Sequence, residues 1–212
     1  RESAYRLMND EFGRDRAVAP RAWFFGTQIG EQAFITLQRA DRRFSARAIV
    51  GMTPAEAKVT RPQEALIAGR WLQPGEREAI ILPRNAADAL GIRAEEVGRA
   101  RVQFAGVDYT VVGVWDNAQF KQITDLDTEP LTPVDFILMQ RLQTQGRQGG
   151  QGGFREYVHL EPDSVVIMPY ETVINLGGNI YSLALEFASR EEAYEILKGE
   201  LMPRLGRSEE HT

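Results

Sequence analysis

The 212-residue chain contains no cysteine. That excludes a disulfide framework, a thiolate zinc site and a cysteine nucleophile, and it leaves the redox compartment unspecified. Histidine is almost as scarce, with only His159 and His211 present. His211 lies in a polar tail, so any histidine-based triad would have to use His159. The surrounding "YVHLEPDS" supplies neither a nucleophile elbow nor a paired metal-ligand spacing. His159 is therefore read as an ordinary packed or exposed side chain. No Gly-x-x-x-x-Gly-Lys-Ser/Thr loop occurs, so the chain is expected neither to bind nor to hydrolyse ATP. No apolar run approaches the roughly 20 residues that span a bilayer, and no signal-peptide pattern opens the chain. It begins Arg1-Glu2 without a methionine, which leads to the expectation that a further segment precedes it. An excess of basic charge is missing too. The 25 Lys and Arg stand against 30 Asp and Glu, for a net charge of -5, and this does not make the positive field of a nucleic-acid binder.

What is present is an ordinary globular composition, 43% hydrophobic and 26% charged, in a length that suits one large domain or two intertwined lobes. Within it a pattern occurs twice. "AIILPRNAADALG" at residues 79–91 and "VVIMPYETVINLG" at residues 165–177 each run an apolar stretch into a proline, then a short segment closed by Leu-Gly. The apolar runs suit buried strands that Pro83 and Pro169 close. Asn85 is placed to cap a short helix carrying Ala86, Ala89 and Leu90, with Gly91 in the left-handed position after it. The second copy repeats this grammar and ends at Gly177-Gly178.

Other elements follow from periodicity. Ala4, Leu7, Met8 and Phe12 share one face of an amphipathic helix expected over residues 1–16. "RAWFF", "QAFITLQ" and "FSARAIVGM" read as strands. Pro54, Pro62 and Pro74 limit residues 53–76 to a turn-rich crossover. "RVQFAGVDYTVVGVW" reads as a hairpin about "AGVD", with Gly113 marking a bulge or a close backbone approach. Residues 116–162 lose regularity, and "TQGRQGGQGG" at 144–153 is a flexible linker whose glycines do not follow a strand and open a helix. "YSLALEF" alternates as a half-buried strand. A helix over 190–202 follows, started by the Ser189 and Glu192 capping pair and stopped by Pro203.

Residues that could carry chemistry are few. Asp125, Asp127 and Glu129 in "DLDTEPLTP" lack the glycine and terminal glutamate of a calcium loop and read as a solvated turn. Trp23, Trp71 and Trp115 read as core or interface packing before they read as ligand stacking. No catalytic, cofactor-binding or metal-ligating residue is assigned.

The order of "LIAGRWL", "AIILPRNAADALGI", "VGRARVQFAGVDYTVVGVW" and "VVIMPY" resembles the periplasmic core domain of MacB-like permeases of ABC transporters, within the FtsX-like permease family. The matching positions are Gly69-Arg70, Pro83, Leu90-Gly91, Gly98 after Val97, Gly113 in Val111-Val112-Gly113-Val114, and Pro169. The resemblance covers most of residues 44–200, and the longer, glycine-rich segment 118–160 departs from it. It implies an α+β fold with a porter-like α/β lobe from residues 1–70 and 163–212. A β-rich, sabre-like lobe is inserted at 71–162. It also implies a non-enzymatic, extracytoplasmic segment on the periplasmic face of the bacterial cytoplasmic membrane, anchored by flanking transmembrane helices absent from this chain. Such a segment passes movement from a cytoplasmic ATPase to export, to a periplasmic adaptor or cargo, or across a permease dimer, with no cofactor and no nucleic acid. The rival reading is a stand-alone extracytoplasmic ligand-binding module, with a hydrolase third.

Overall fold

The computed structural model describes residues 18–29, 32–146, 157–196 and 198–199. The helix expected over 1–16, most of the 144–153 linker and the final turn of the 190–202 helix lie outside these residues.

The described residues form an α+β fold on one large sheet. Strands β1 (Val18–Phe25), β2 (Thr27–Ile29), β3 (Gln32–Arg39), β4 (Arg42–Ala46) and β5 (Ala48–Met52) come first. Helix α1 (Glu56–Val59), a 3-10 turn at Pro62–Ala65 and β6 (Leu66–Gly69) lead to β7 (Ala79–Pro83) and α2 (Arg84–Ala89). Then come β8 (Arg101–Phe104), β9 (Val107–Trp115), α3 (Asn117–Lys121) and α4 (Phe136–Gly146). The chain returns through β10 (Val165–Pro169), α5 (Tyr170–Asn175), β11 (Asn179–Leu185) and α6 (Arg190–Ile196). The sheet order is β11-β1-β5-β10-β7-β9-β8-β3-β2, with β4 added to β3 and β6 to β9. Only Arg47 separates β4 from β5, so the sheet curls back on itself.

The central strands are apolar throughout because both of their faces are buried. Ile49, Ile80, Leu82, Val166 and Met168 point into one cluster, which α2 and α5 cover through Ala86, Leu90, Tyr170 and Val173. Their neighbours Ala48, Val50, Ile81, Val165 and Ile167 point into the other, which is covered by Trp71, Phe120, Leu131, Met139 and Leu160. The second cover is therefore mostly the described part of the long segment after β9, with Trp71 added from before it. Both clusters draw on residues from either side of position 71.

The two copies of the strand-proline-helix pattern are neighbours in the middle of the sheet, where β7 and β10 run antiparallel through one registered pair, Ile81 and Ile167. On its outer side β7 is parallel to β9, and β10 is parallel to β5. Leu90 and Leu176 each end a helix, and Gly91 and Gly177 follow at φ of 64° and 94°. Asn85 does not cap α2. Pro83 occupies the cap position without a side-chain bond, and the Asn85 amide instead donates to the Asp163 carbonyl at 2.9 Å and accepts from Asn117. The strand enters the helix directly, which leaves Asn85 inside it and free to tie the first copy to the start of the second.

"FSARAIVGM" is two strands, because Arg47 breaks the ladder and its N–H bonds the Ser164 carbonyl at 2.7 Å. The hairpin turns at Ala105-Gly106, both at positive φ, the combination that tight two-residue hairpins require. The described part of residues 116–162 contains two α-helices, α3 and α4.

Gly69 and Gly113 are partners across β6 and β9. A Cβ on Gly69 would lie 2.1 Å from the Val112 carbonyl oxygen, and one on Gly113 2.7 Å from that of Arg70. Only glycine permits this approach. The ladder slips between Ile80 and Ile81 opposite the same stretch.

Candidate functional site

The described parts of segment 116–162, residues 116–146 and 157–162, lie over the outer face of the central strands and are held there by charge. Asp116 starts α3, its carboxylate accepting from the N–H groups of Ala118 and Gln119. This sets Phe120 against Trp115, with ring centroids 4.9 Å apart. A tight loop follows, closed by Asp125 N–H to the Glu129 carbonyl at 2.7 Å and by a bridge from Thr124 to Pro130.

Three acidic side chains of this arm are each committed. Asp125 accepts from the guanidinium of Arg21, which also donates to Glu56 at 2.8 and 3.1 Å. Arg21 is 4% exposed and Glu56 fully buried, so β1, α1 and the arm meet in a buried ionic triad. Burial works against the charge on Arg21, and its hydrogen bonds to Glu56 and Asp125 override that, raising its pKa. Burial likewise pushes the Asp125 carboxyl up, and Arg21 holds it below its ordinary value. Asp135 pairs bidentately with Arg47 at 2.7 and 3.0 Å while capping α4 through the Leu138 N–H. Burial again opposes the charge, and Arg47 with the helix N–H groups keeps the carboxyl low. Removing one member of such a pair leaves the other buried without a partner, so these ties cost far more to break than to lack.

Glu129 reaches the Nε2 of His159 at 3.1 Å. The Nδ1 of that ring faces the Thr132 carbonyl at 2.5 Å. Both ring nitrogens thus have an oxygen within hydrogen-bond reach. His159 also bridges Val134, and Leu160 N–H bonds the Pro133 carbonyl. Between α3 and this returning strand lies a cavity of about 290 Å³ with apolar walls from Phe120, Ile123, Leu131 and Val158, opening beside Lys121 and Glu161.

The eight motif positions sit elsewhere. Gly69, Arg70, Gly98 and Gly113 gather at β9, where Arg70 N–H and Gly98 N–H bond the carbonyls of Val112 and Val111. The Arg70 guanidinium pairs with Glu76 and raises its own pKa while lowering that of Glu76. Pro83, Leu90 and Gly91 belong to the first repeat copy and Pro169 to the second. None of the eight lines the cavity.

Trp23, Trp71 and Trp115 are all at least nine-tenths buried. Among the described residues no group of three or more His, Asp or Glu side chains is placed to hold a metal ion, and no helix is long and apolar enough to cross a membrane. The ionic ties escaped the sequence reading. Their one signal was an arginine inside the apolar strand "VAPRAWFF".

No family model matches the sequence, and no curated protein matches it at a significant level. Solved structures do. The extracellular domain of the noncanonical ABC-type transporter YknZ from Gram-positive bacteria matches over 100% of this chain and 83% of its own, with a TM-score of 0.50 and 15% identity. The periplasmic region of MacB from Actinobacillus actinomycetemcomitans matches over 100% of this chain and 82% of its own, with a TM-score of 0.50 and 14% identity. At these identities the likeness is one of architecture: the chain has the α+β fold of the extracytoplasmic domains of MacB-like ABC-transporter permeases.

Proposed function

We propose that the chain is the extracytoplasmic domain of an ABC-transporter permease, hung between two membrane helices and passing ATP-driven movement to export, a periplasmic adaptor or cargo. The observation that carries this reading, within that fold, is the pairing of β1 with β11. Val18, where the described chain enters the sheet, is the antiparallel partner of Leu185, where it leaves. A segment suspended from a bilayer must enter and leave on one side, and adjacent strands at the start and end of the sheet's path support that reading. Charged ties between the arm and the strands also suit a body that moves as a unit.

The ATPase belongs to a separate cytoplasmic part in this reading, and a permease dimer is the natural assembly. Residues 1–70 with 163–212 form the porter-like lobe and residues 71–162 the inserted β-rich lobe. Because both apolar clusters are shared between them, the lobes should melt in one calorimetric transition.

The test is to express the native gene with its flanking sequence and place a cysteine at the exposed Tyr157. The protein should stay in carbonate-washed membranes and react with an impermeant maleimide in intact cells. ATP added to membranes reconstituted with the ATPase should change the labelling rate. Recovery in the soluble fraction rejects the permease reading in favour of a free binding module, and an ATP-independent rate rejects the coupling.

A further inference from the structure

We propose that the cavity between α3 and the returning strand at 157–162 binds a small amphipathic carboxylate, an apolar body with one anionic head. Size sets the body. A dry apolar cavity of about 150 Å³ takes benzene, so the 290 Å³ here takes an apolar group about twice as large. The walls are right for it: Phe120, Leu131 and Leu160 are buried, and Ile123 and Val158 are partly so. Small-molecule sites have this form, an apolar concavity with few polar groups that fix orientation.

The polar groups select the head. The lining contains Lys121, His159 and Glu161, whereas Glu129 meets His159 without itself lining the cavity. Lys121 is thus the cation of the lining, with Glu161 as its counterion and the His159 ring beside them. Lys121 Nζ is held by Glu161 at 2.7 and 2.8 Å, and His159 Nε2 by Glu129 at 3.1 Å. The Glu161 and Glu129 side chains are 61% and 45% exposed, the His159 side chain 10%. Either carboxylate can turn into water without losing its solvation, while the ring stays fixed by Thr132. A ligand carboxylate then takes the vacated place, exchanging one charge-assisted hydrogen bond for another. The apolar body supplies the net gain. This site stands independently of the permease reading, since it belongs to the 212-residue chain by itself.

The probe is sodium decanoate below its micellar range, with decyltrimethylammonium and decanol as comparators, titrated into the full chain by calorimetry and amide NMR. Decanoate should bind saturably at one site, with shifts centred on Phe120, Leu131 and Val158, and more tightly than either comparator. Lys121→Glu, on an exposed side chain, should weaken decanoate about fivefold, the scale of an exposed ion pair, and should strengthen the ammonium probe. Ile123→Trp should fill the space and abolish binding while leaving cooperative melting in place. Absence of saturable binding overturns the proposal. So does equal affinity for the ammonium probe, or unchanged decanoate binding in Lys121→Glu, which decides the matter even if Ile123→Trp fails to fold.

Discussion

The two strand-proline-helix units share a backbone and differ in what covers them. In the first, Leu90 is fully buried. The β3–β4 hairpin reaches over its helix end, where Arg39 donates to the Gly91 carbonyl at 2.6 Å and to Leu90 at 3.3 Å. Arg42 lies against Gly91 so closely that a Cβ there would meet its guanidinium at 2.6 Å. In the second, Leu176 is only partly buried against the same cluster, and among the described residues nothing approaches within 4 Å of a Cβ built on Gly177. The same local grammar therefore serves two surroundings. Strand, proline and glycine follow from the units' own residues, while cover is decided by elements far away in the chain.

The largest break in the comparison should come from Leu90→Asp against Leu176→Asp. Burying a carboxylate in the first unit should cost at least about 4 kcal/mol. The second, able to turn its charge to water, should lose about half of that. Denaturant melts compare them, and equal losses would contradict the difference in cover. Next are Gly91→Ala and Gly177→Ala. Both positions have positive φ, so each should lose about 1–2 kcal/mol from backbone strain. Arg42→Ala should relieve part of the first loss and none of the second.

A smaller effect is expected of Arg39→Ala, which removes a cation from the end of α2 and should cost about 0.5–1 kcal/mol, with no analogue in the second unit among the described residues. Smallest is a pH effect on the same clamp. The Arg93 backbone N–H, and after it the Arg39 guanidinium, hold the Glu96 carboxyl down from 4.5 to about 2. Since the folded value is the lower one, this contribution is complete above about 4.5 and fades as pH falls towards 2. The slope of stability with pH across that window should flatten in Glu96→Gln. An unchanged slope would show that other carboxylates set it.

The parts of this fold legible in the sequence were those written locally. The apolar runs at 79–82 and 165–168 announced strands buried on two faces, prolines marked their ends, and the turn of the β8–β9 hairpin lay within "AGVD". Ser189 accepts from the Glu192 N–H as the capping pattern required. Helix α4 was hidden by its neighbourhood, since "FILMQRLQTQG" runs into glycine-rich sequence, although Asp135 before it was a usable cap signal. The arm's ties were hidden by distance: Arg21 bonds partners 35 and 104 residues away, and Arg47 one 88 residues away. No window of sequence contains both ends of such a contact. Within the acidic turn read as solvated, Asp125 ties the described arm to β1, because its counterion Arg21 comes from a strand that no spacing rule connects to it.

The single registered pair between β7 and β10 has a mechanical meaning. Elsewhere in the sheet, neighbours such as β10 and β5 are laced through five successive pairs, and such a ladder resists shear until many bonds yield together. At the midline the two halves are joined by Ile81 against Ile167, by packing on either side, and by the amide of Asn85 on the Asp163 carbonyl. Packing contacts are short-ranged but not directional, so they tolerate small lateral slip where a ladder would snap. Load entering through the edge strands meets, at the centre of the molecule, a joint made of packing more than of ladder, a property it shares with the single pair of Gln38 and Gln103 between β3 and β8.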